Sequence, residues 1–298
     1  MDINKNLDSK FEQNCSCLLG AHFSIKKGLD KAFYEAESYK CNAFQIFTKN
    51  ATSWKESTLS PKKIESFNKA REKTGIHEIA SHTSYLINLA AVDEKKHALS
   101  CEALKQEMIR ANQLKIPYVI LHPGSHMGSG EATGISLIAS SINKIFSEIA
   151  NQKSRLLLET TAGQGTSIGH TFEQIASILK RIEYADQIGV CFDTCHVFAA
   201  GYDIRTYKSY TETIKKFDGT IGLDRLFVLH LNDSKKDFGS RIDRHEHIGD
   251  GAIGTKAFEY IMRDERLKRV PKILETPKDK DGKPYDTVNL NRLRELVI

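Results

Sequence analysis

Six apolar runs in this chain each end in a histidine or a carboxylate. IHEIASH closes at His82, VILH at His122, LLLE at Glu159, VCFD at Asp193, FVLH at His230 and KILE at Glu275. Short apolar runs of this kind read as buried strands, so each polar terminus marks where strand gives way to loop. Successive termini lie 34 to 45 residues apart, room for one strand and one helix. A buried row of His, Glu and Asp side chains is costly unless something pairs with it. A cluster of divalent metals is the simplest single partner, which makes a metallo-hydrolase the leading candidate.

Composition narrows the setting. The chain has 298 residues, 40% hydrophobic and 27% charged, the balance of an ordinary soluble protein, and α/β barrels often run to this length as one domain. A net charge of +5 permits a polyanionic partner without requiring one. The six cysteines, Cys15, Cys17, Cys41, Cys101, Cys191 and Cys195, form no C-x-x-C pair, which argues against a thiolate zinc site and for reduced thiols. The opening MDINKNLDSKFEQNC is too polar for a signal sequence, and no apolar stretch approaches the ~20 residues of a bilayer span. The expectation is a soluble, cytoplasmic protein with no membrane partner. Residues 1–14 read as a polar extension, and 15–298 as a single catalytic domain.

Strand-like runs recur at 17–22, 43–47, 76–82, 117–122, 155–159, 189–193, 226–230 and 271–275. Between them lie amphipathic segments of helical period, among them PKKIESFNKAREKTG, EALKQEMIRANQLK and GISLIASSINKIFSEIANQ. Eight strands alternating with helices imply parallel βα units, in an open sheet or a closed barrel. In an open sheet, termini five strands apart would be about 24 Å distant. Metal–ligand bonds are only ~2 Å long, so no cluster could collect ligands along such a row. A closed (β/α)8 TIM barrel brings the strand ends round a ring, on the C-terminal face where barrel enzymes keep their chemistry.

Three more candidate ligands sit close by in sequence. His196 follows Asp193 in DTCH, and Asp243 and His245 form the D-R-H triplet after the seventh strand. The nine residues are five His, two Asp and two Glu, a nitrogen and oxygen set that suits zinc and also manganese or iron. One zinc takes about four ligands, so nine point to two or three ions with a bridging carboxylate. Taken singly, a strand-end histidine is more often a hydrogen-bonded core residue than a ligand. Six of eight strands ending this way on one face is much harder to reach by chance. His22 closes the first strand and is assigned a supporting role. His77, His97, His126, His170 and His247 read as structural or surface residues.

Two tempting patterns are set aside. Residues 249–254 match G-x-G-x-x-G, with Glu275 about twenty positions on. The HEHI before them is not the strand of a βαβ unit, so the context of a dinucleotide fingerprint is missing. The first strand's own turn, GAHFSIKKG, lacks that fingerprint too. Cys195 beside His196 resembles a Cys–His nucleophile pair, but its neighbours are claimed by the metal reading.

The segments HTSYLIN (82–88), LHPGSH (121–126), LLETTAGQG (157–165), GVCFDTCHVFAAGYD (189–203), LHLNDSKKDFGSRIDRHEHIGDGAIG (229–254) and ILET (273–276) together resemble endonuclease IV, the family-2 apurinic/apyrimidinic endonucleases of base excision repair. The resemblance spans about residues 18–297. It implies a (β/α)8 barrel with three zinc ions per chain. His82, His122 and Glu159 would hold one ion. Glu159 would bridge to a second, completed by Asp193, His230 and Glu275, and His196, Asp243 and His245 would hold the third. It also implies a monomeric hydrolase acting on double-stranded DNA, near the nucleoid during repair. Such an enzyme cleaves 5′ to an abasic site to leave a 3′-hydroxyl and trims blocked 3′ ends. Four carboxylates against three divalent ions leave a centre of about +2, a focus for phosphate. Glu159 and Glu275 would act catalytically, orienting the attacking hydroxide.

The same resemblance points to DNA contacts. Tyr85 and Leu86, after His82, match residues that push into the base stack at the lesion, a task suited to an aromatic and an aliphatic wedge. Without the resemblance they read equally well as a plain loop anchor. In TKNATSW (48–54), Thr52 stands where the family often carries a wedge arginine, leaving insertion to Tyr85, Leu86 and Trp54. Lys235, Lys236 and Arg244 are candidate phosphate contacts, although loop lysines are more often merely solvated. Two rivals remain open on sequence: a sugar isomerase or epimerase on the same barrel, needing one or two metals, and a catalytically silent DNA-binding protein.

Overall fold

The computed structural model describes residues 17–55 and 58–297. The expected N-terminal extension, with Cys15, lies outside the described residues. Eight parallel strands close into a barrel. They are β1 (Leu19–Phe23), β2 (Ala43–Ile46), β3 (Glu78–His82), β4 (Tyr118–Leu121), β5 (Arg155–Glu159), β6 (Ile188–Asp193), β7 (Leu226–His230) and β8 (Lys272–Leu274). Each pairs with its sequence neighbours, and β8 pairs with β1 to shut the ring. The strands match the expected runs to within two residues at each end. His122 and Glu275 fall one residue beyond their strands rather than on them.

Helices wrap the outside, and their ends follow local chemistry. Ser60 accepts from the Lys63 amide at the head of Pro61–Thr74, which starts on proline and ends on left-handed Gly75 (φ 68°), the usual proline-first, glycine-last asymmetry. Asp93 and Thr171 cap Glu94–Gln113 and Phe172–Leu179 in the same way. The helix over Glu94–Gln113 begins eight residues before the amphipathic segment that announced it, because Asp93 supplies the N-cap there. Among the described residues no helix is long and apolar enough to cross a membrane.

The core has two layers. The larger lies between barrel and helices and includes Phe33, Phe44, Phe67, Phe172, Phe192, Phe198, Phe217 and Phe258. The smaller fills the barrel and consists of Ala80, Ile120, Leu157, Cys191, Val228 and Ile273. Side chains two residues apart on a strand share a face. Stepping two on from each of these six residues gives His82, His122, Glu159, Asp193, His230 and Glu275. The polar ring therefore rests on an apolar plug, and one register sets both. Truncating a plug residue such as Leu157 to alanine would cost about 2–5 kcal/mol and leave the ring unsupported.

Candidate metal centre

Glu159 is fully buried at the middle of the C-terminal face. Its Oε2 lies 3.0 Å from His82 Nε2 and 3.0 Å from His122 Nε2. Its Oε1 lies 3.0 Å from His230 Nδ1 and 3.3 Å from His196 Nδ1. Glu275 Oε2 is 3.2 Å from His230 Nδ1, and Asp193 Oδ2 is 3.8 Å from both His230 Nδ1 and His245 Nε2. Asp243 reaches in from the loop after β7, with Oδ2 3.2 Å from His196 Nε2 and Oδ1 3.4 Å from His245 Nε2. All nine candidate ligands are thus brought together. They fall into three groups whose ligand atoms lie within 4.8 Å of one another: His82, His122 and Glu159; Glu159, Asp193, His230 and Glu275; His196, Asp243 and His245.

The histidines are oriented as ligands. A carbonyl oxygen only accepts, so a ring nitrogen facing one must carry a proton, and once the ring is neutral the other nitrogen is the one with a lone pair to offer. His82 Nδ1 donates to the Thr83 carbonyl (2.8 Å), His196 Nδ1 to Thr160 (2.8 Å) and His245 Nδ1 to Glu275 (3.2 Å). In each, Nε2 is left facing the carboxylates. His230 is reversed, with Nε2 donating to Gln45 Oε1 (2.8 Å) and Nδ1 turned inward. Buried polar atoms are rarely left without a hydrogen bond, yet Nε2 of His196 and of His245, though close to the Asp243 oxygens, are buried and make none of good geometry. Two orphaned lone pairs beside Asp243 are what a cation site requires, and the donor set fits a divalent metal.

Electrostatics in the metal-free protein point the same way. Burial alone would raise the Glu159 carboxyl, but His122 and His230 outweigh it and hold it well below the usual carboxylate range. Glu275 is likewise brought down to about 2 by His230 against its burial. Burial opposes charge on His82, His196 and His230 as well, but Glu159 raises His82, Asp193 and Asp243 raise His196, and Cys191 with Glu275 and Glu159 raises His230. His22 goes the other way: burial drops it to about 3 and keeps it neutral.

Supporting residues that sequence reasoning missed complete the frame. Asn232 Nδ2 donates to Asp193 Oδ2 (2.7 Å), while its Oδ1 accepts from the Glu275 amide (2.8 Å). Asp193 also caps the helix over Thr194–Ala200 by accepting from the His196 amide (2.8 Å), which fixes the DTCH turn. Buried Gln45 stands on β2 inside an apolar run. The available signals were faint: a polar residue at an inward position of β2, and an asparagine two residues past His230.

The glycine motif has an internal occupant. Asp233 Oδ2 accepts from the amides of Gly249 (2.9 Å), Gly251 (3.1 Å) and Gly254 (3.3 Å), and its Oδ1 from Ile253 (2.9 Å). The amides that would cradle a phosphate in a nucleotide loop are thus filled by a side chain of the same protein. Residues His245–Glu246 pair antiparallel with Asp233–Ser234, a short hairpin where no strand was expected, and the same clasp holds it. Cys195 is fully buried, with its Sγ 3.6 Å from the Arg244 carbonyl. Burial pushes this thiol up to about 12, which removes it as a nucleophile.

A cleft of about 480 Å³ opens over the ligands, lined also by His22, Phe47, Tyr85, Arg244 and Lys278. A second hollow of about 470 Å³ adjoins it, lined by Asn88, Ser125, Thr161 and Gln164, with Tyr85, His122, His196, Asp243 and Arg244 common to both. Tyr85 is 70% exposed, its ring 5.6 Å from Phe47 and 5.9 Å from His82. Leu86, next in sequence, is half-buried. Lys235 and Lys236 are exposed but off the cleft lining. Thr52 is exposed and bonded locally to Asn50 (2.9 Å), and Trp54 is partly exposed.

Fold and site together define a (β/α)8-barrel protein with a three-part candidate metal centre at the C-terminal face of its strands. Residues 33–296 match the xylose isomerase-like TIM barrel family. A probable endonuclease 4 of Geobacter sulfurreducens is 47% identical over 279 residues, 94% of this chain and 94% of its own length. One of Chloroflexus aggregans is 46% identical over 93% of this chain and 97% of its own. The crystal structure of endonuclease IV from Thermus thermophilus superimposes with a TM-score of 0.81 at 34% identity, covering 94% of this chain and 98% of that one. A D-tagatose 3-epimerase-like protein shares the fold (TM-score 0.70) at 21% identity. The chain belongs to the endonuclease IV family.

Proposed function

We propose that this protein is a zinc-dependent apurinic/apyrimidinic endonuclease of base excision repair. It hydrolyses the phosphodiester 5′ to an abasic site in duplex DNA, leaves a 3′-hydroxyl, and also trims blocked 3′ ends. The observation that carries this reading is the convergence of nine His, Asp and Glu side chains into three adjoining groups around Glu159, within a chain of this family. His82, His122 and Glu159 would hold one zinc, Glu159, Asp193, His230 and Glu275 a second, and His196, Asp243 and His245 a third. Bound divalent ions would supply positive charge to the phosphate and ready ionisation of water at neutral pH.

The chain's own residues then divide the work. Glu159 and Glu275 would orient the attacking water. Tyr85, exposed on the cleft lining, and Leu86 beside it in sequence would meet the base stack. Arg244, on the lining of both hollows, is placed to hold a flanking phosphate, and Lys235 and Lys236 to contact the strand further out. The protein acts as a monomer in the cytoplasm.

The test is a nicking assay on a duplex carrying one abasic-site analogue, with and without a chelator. Cleavage 5′ to the analogue, lost with chelator and restored by zinc, is expected. An intact duplex, or cleavage indifferent to the chelator, overturns the proposal. About three zinc ions per chain are expected from metal analysis; one would favour a sugar isomerase or epimerase on the same barrel.

A further inference from the structure

β1 and β2 are the two barrel strands that bring no ligand to the centre. Their inward residues, His22 and Gln45, are paired across the two strands and sit beside it. Gln45 is fully buried, and its amide makes three hydrogen bonds at the site, using both N–H donors and the oxygen. Its Nε2 donates to Glu275 Oε1 (2.5 Å) and to His22 Nδ1 (2.9 Å), and its Oε1 accepts from His230 Nε2 (2.8 Å). Glu275 decides which way round the amide lies, since turning it over would set the carbonyl against a carboxylate. That orientation has a consequence for His230. A carbonyl at Nε2 keeps the ring proton there and leaves the Nδ1 lone pair facing Glu159 and Glu275.

We propose that Gln45 is a positioning residue of the metal centre: it selects Nδ1 as the ligating nitrogen of His230 and holds Glu275 turned toward the same ion. This rests on reading the three groups as metal sites. The other histidines with an assigned ring proton are held by backbone carbonyls, which no substitution can remove. His230 depends on a side chain, so its orientation can be lost by a single change. Groups that fix a ligating histidine from behind typically contribute about 10- to 100-fold in metal affinity.

Two variants separate this role from packing. Gln45→Met keeps the volume without polar atoms, and Gln45→Asn keeps the amide but withdraws it by one methylene. Each protein is loaded with zinc, and its retention is measured by competition with a chromogenic chelator, alongside thermal stability and steady-state nicking of abasic-analogue duplex. Both variants should release one class of zinc about 10- to 100-fold more readily, with kcat reduced by a similar factor and KM for DNA unchanged. In ¹⁵N spectra of the zinc-loaded protein, His230 should leave its single Nε2–H tautomer. Wild-type zinc retention in either folded variant overturns the proposal, as does failure of both to fold. If only the Met variant fails to fold, the Asn variant decides. The zinc competition needs no nuclease activity. A wild-type protein that binds zinc yet leaves abasic DNA intact would sink the proposed function while the role of Gln45 stood.

Discussion

Asp233 and Gly251 approach so closely that a methyl group on Gly251 would lie 2.5 Å from Asp233 Oδ1 and 2.4 Å from the Ser234 carbonyl. The contact joins the loop after β7 to the glycine-rich turn, on either side in sequence of the candidate ligands Asp243 and His245. Asp233→Ala should cost about 3 kcal/mol, because it strands amides that now share one carboxylate. It should also lower zinc content below that of wild type. Chemical denaturation and metal analysis on the same sample check this; unchanged stability would mean that the amides find other partners.

Glu159→Gln should leave a folded protein that no longer nicks abasic DNA, with a loss of roughly 10³-fold or more, the scale of removing a central electrostatic group. The substitution takes away the one carboxylate within reach of His82, His122, His196 and His230. Circular dichroism and the nicking rate are the measurements. A near-wild-type rate would contradict a bridging role.

Tyr85→Ala should weaken binding of lesion-bearing duplex by about 1–3 kcal/mol, the range for losing one aromatic stacking partner. Chemistry at saturating DNA should change much less, because the ring touches His82 and Phe47 but accepts no bond from a ligand group. Equal affinities for wild type and variant would return Tyr85 to the role of a loop anchor.

Zinc loading should be proton-coupled. His82, His196 and His230 are raised against their own burial by the surrounding carboxylates and, for His230, first by Cys191, so in the metal-free protein they keep protons to higher pH than an ordinary histidine. Zinc takes only the unprotonated ring, so loading releases protons, strengthens as pH rises and is lost as pH falls. Calorimetric zinc titrations in buffers of different ionisation enthalpy count the protons. A count of zero would contradict the charge arrangement.

Cys195→Ser should nick DNA within a few-fold of wild type. With the thiol pushed up to about 12, only about one molecule in 10⁴ carries a thiolate at pH 8. The native protein should therefore resist alkylation at this position until the pH is high enough to ionise the thiol. Rapid inactivation by a thiol reagent that maps to Cys195 would overturn this.

The strand ends were legible because two signals coincide there: apolar runs fix the strands, and a period of two places each terminal ligand above an apolar plug residue such as Ile120 or Leu157. The barrel followed from the need for those ends to meet. Gln45 was not legible, since its partners His230 and Glu275 are distant in sequence and only ring closure puts them beside β2. Asn232 and Asp233 follow His230 directly, but nothing local says that one braces Asp193 and the other fills the glycine loop. Among the loop lysines, Lys235 and Lys236 suit a phosphate by type but stand off the cleft lining, while Lys278, unmarked in the sequence, is on it.

The bond from Gln45 to Glu275 crosses 230 positions of the chain. Ordering such a contact requires the intervening chain to be in place first. During synthesis Gln45 therefore stays without its Glu275 partner until the eighth strand emerges. A protein caught short of that point has Glu159 and its near neighbours but no closed ring to hold them. Tight metal binding by this chain is in that sense a receipt for the whole of it, and a truncated or misfolded copy would go without.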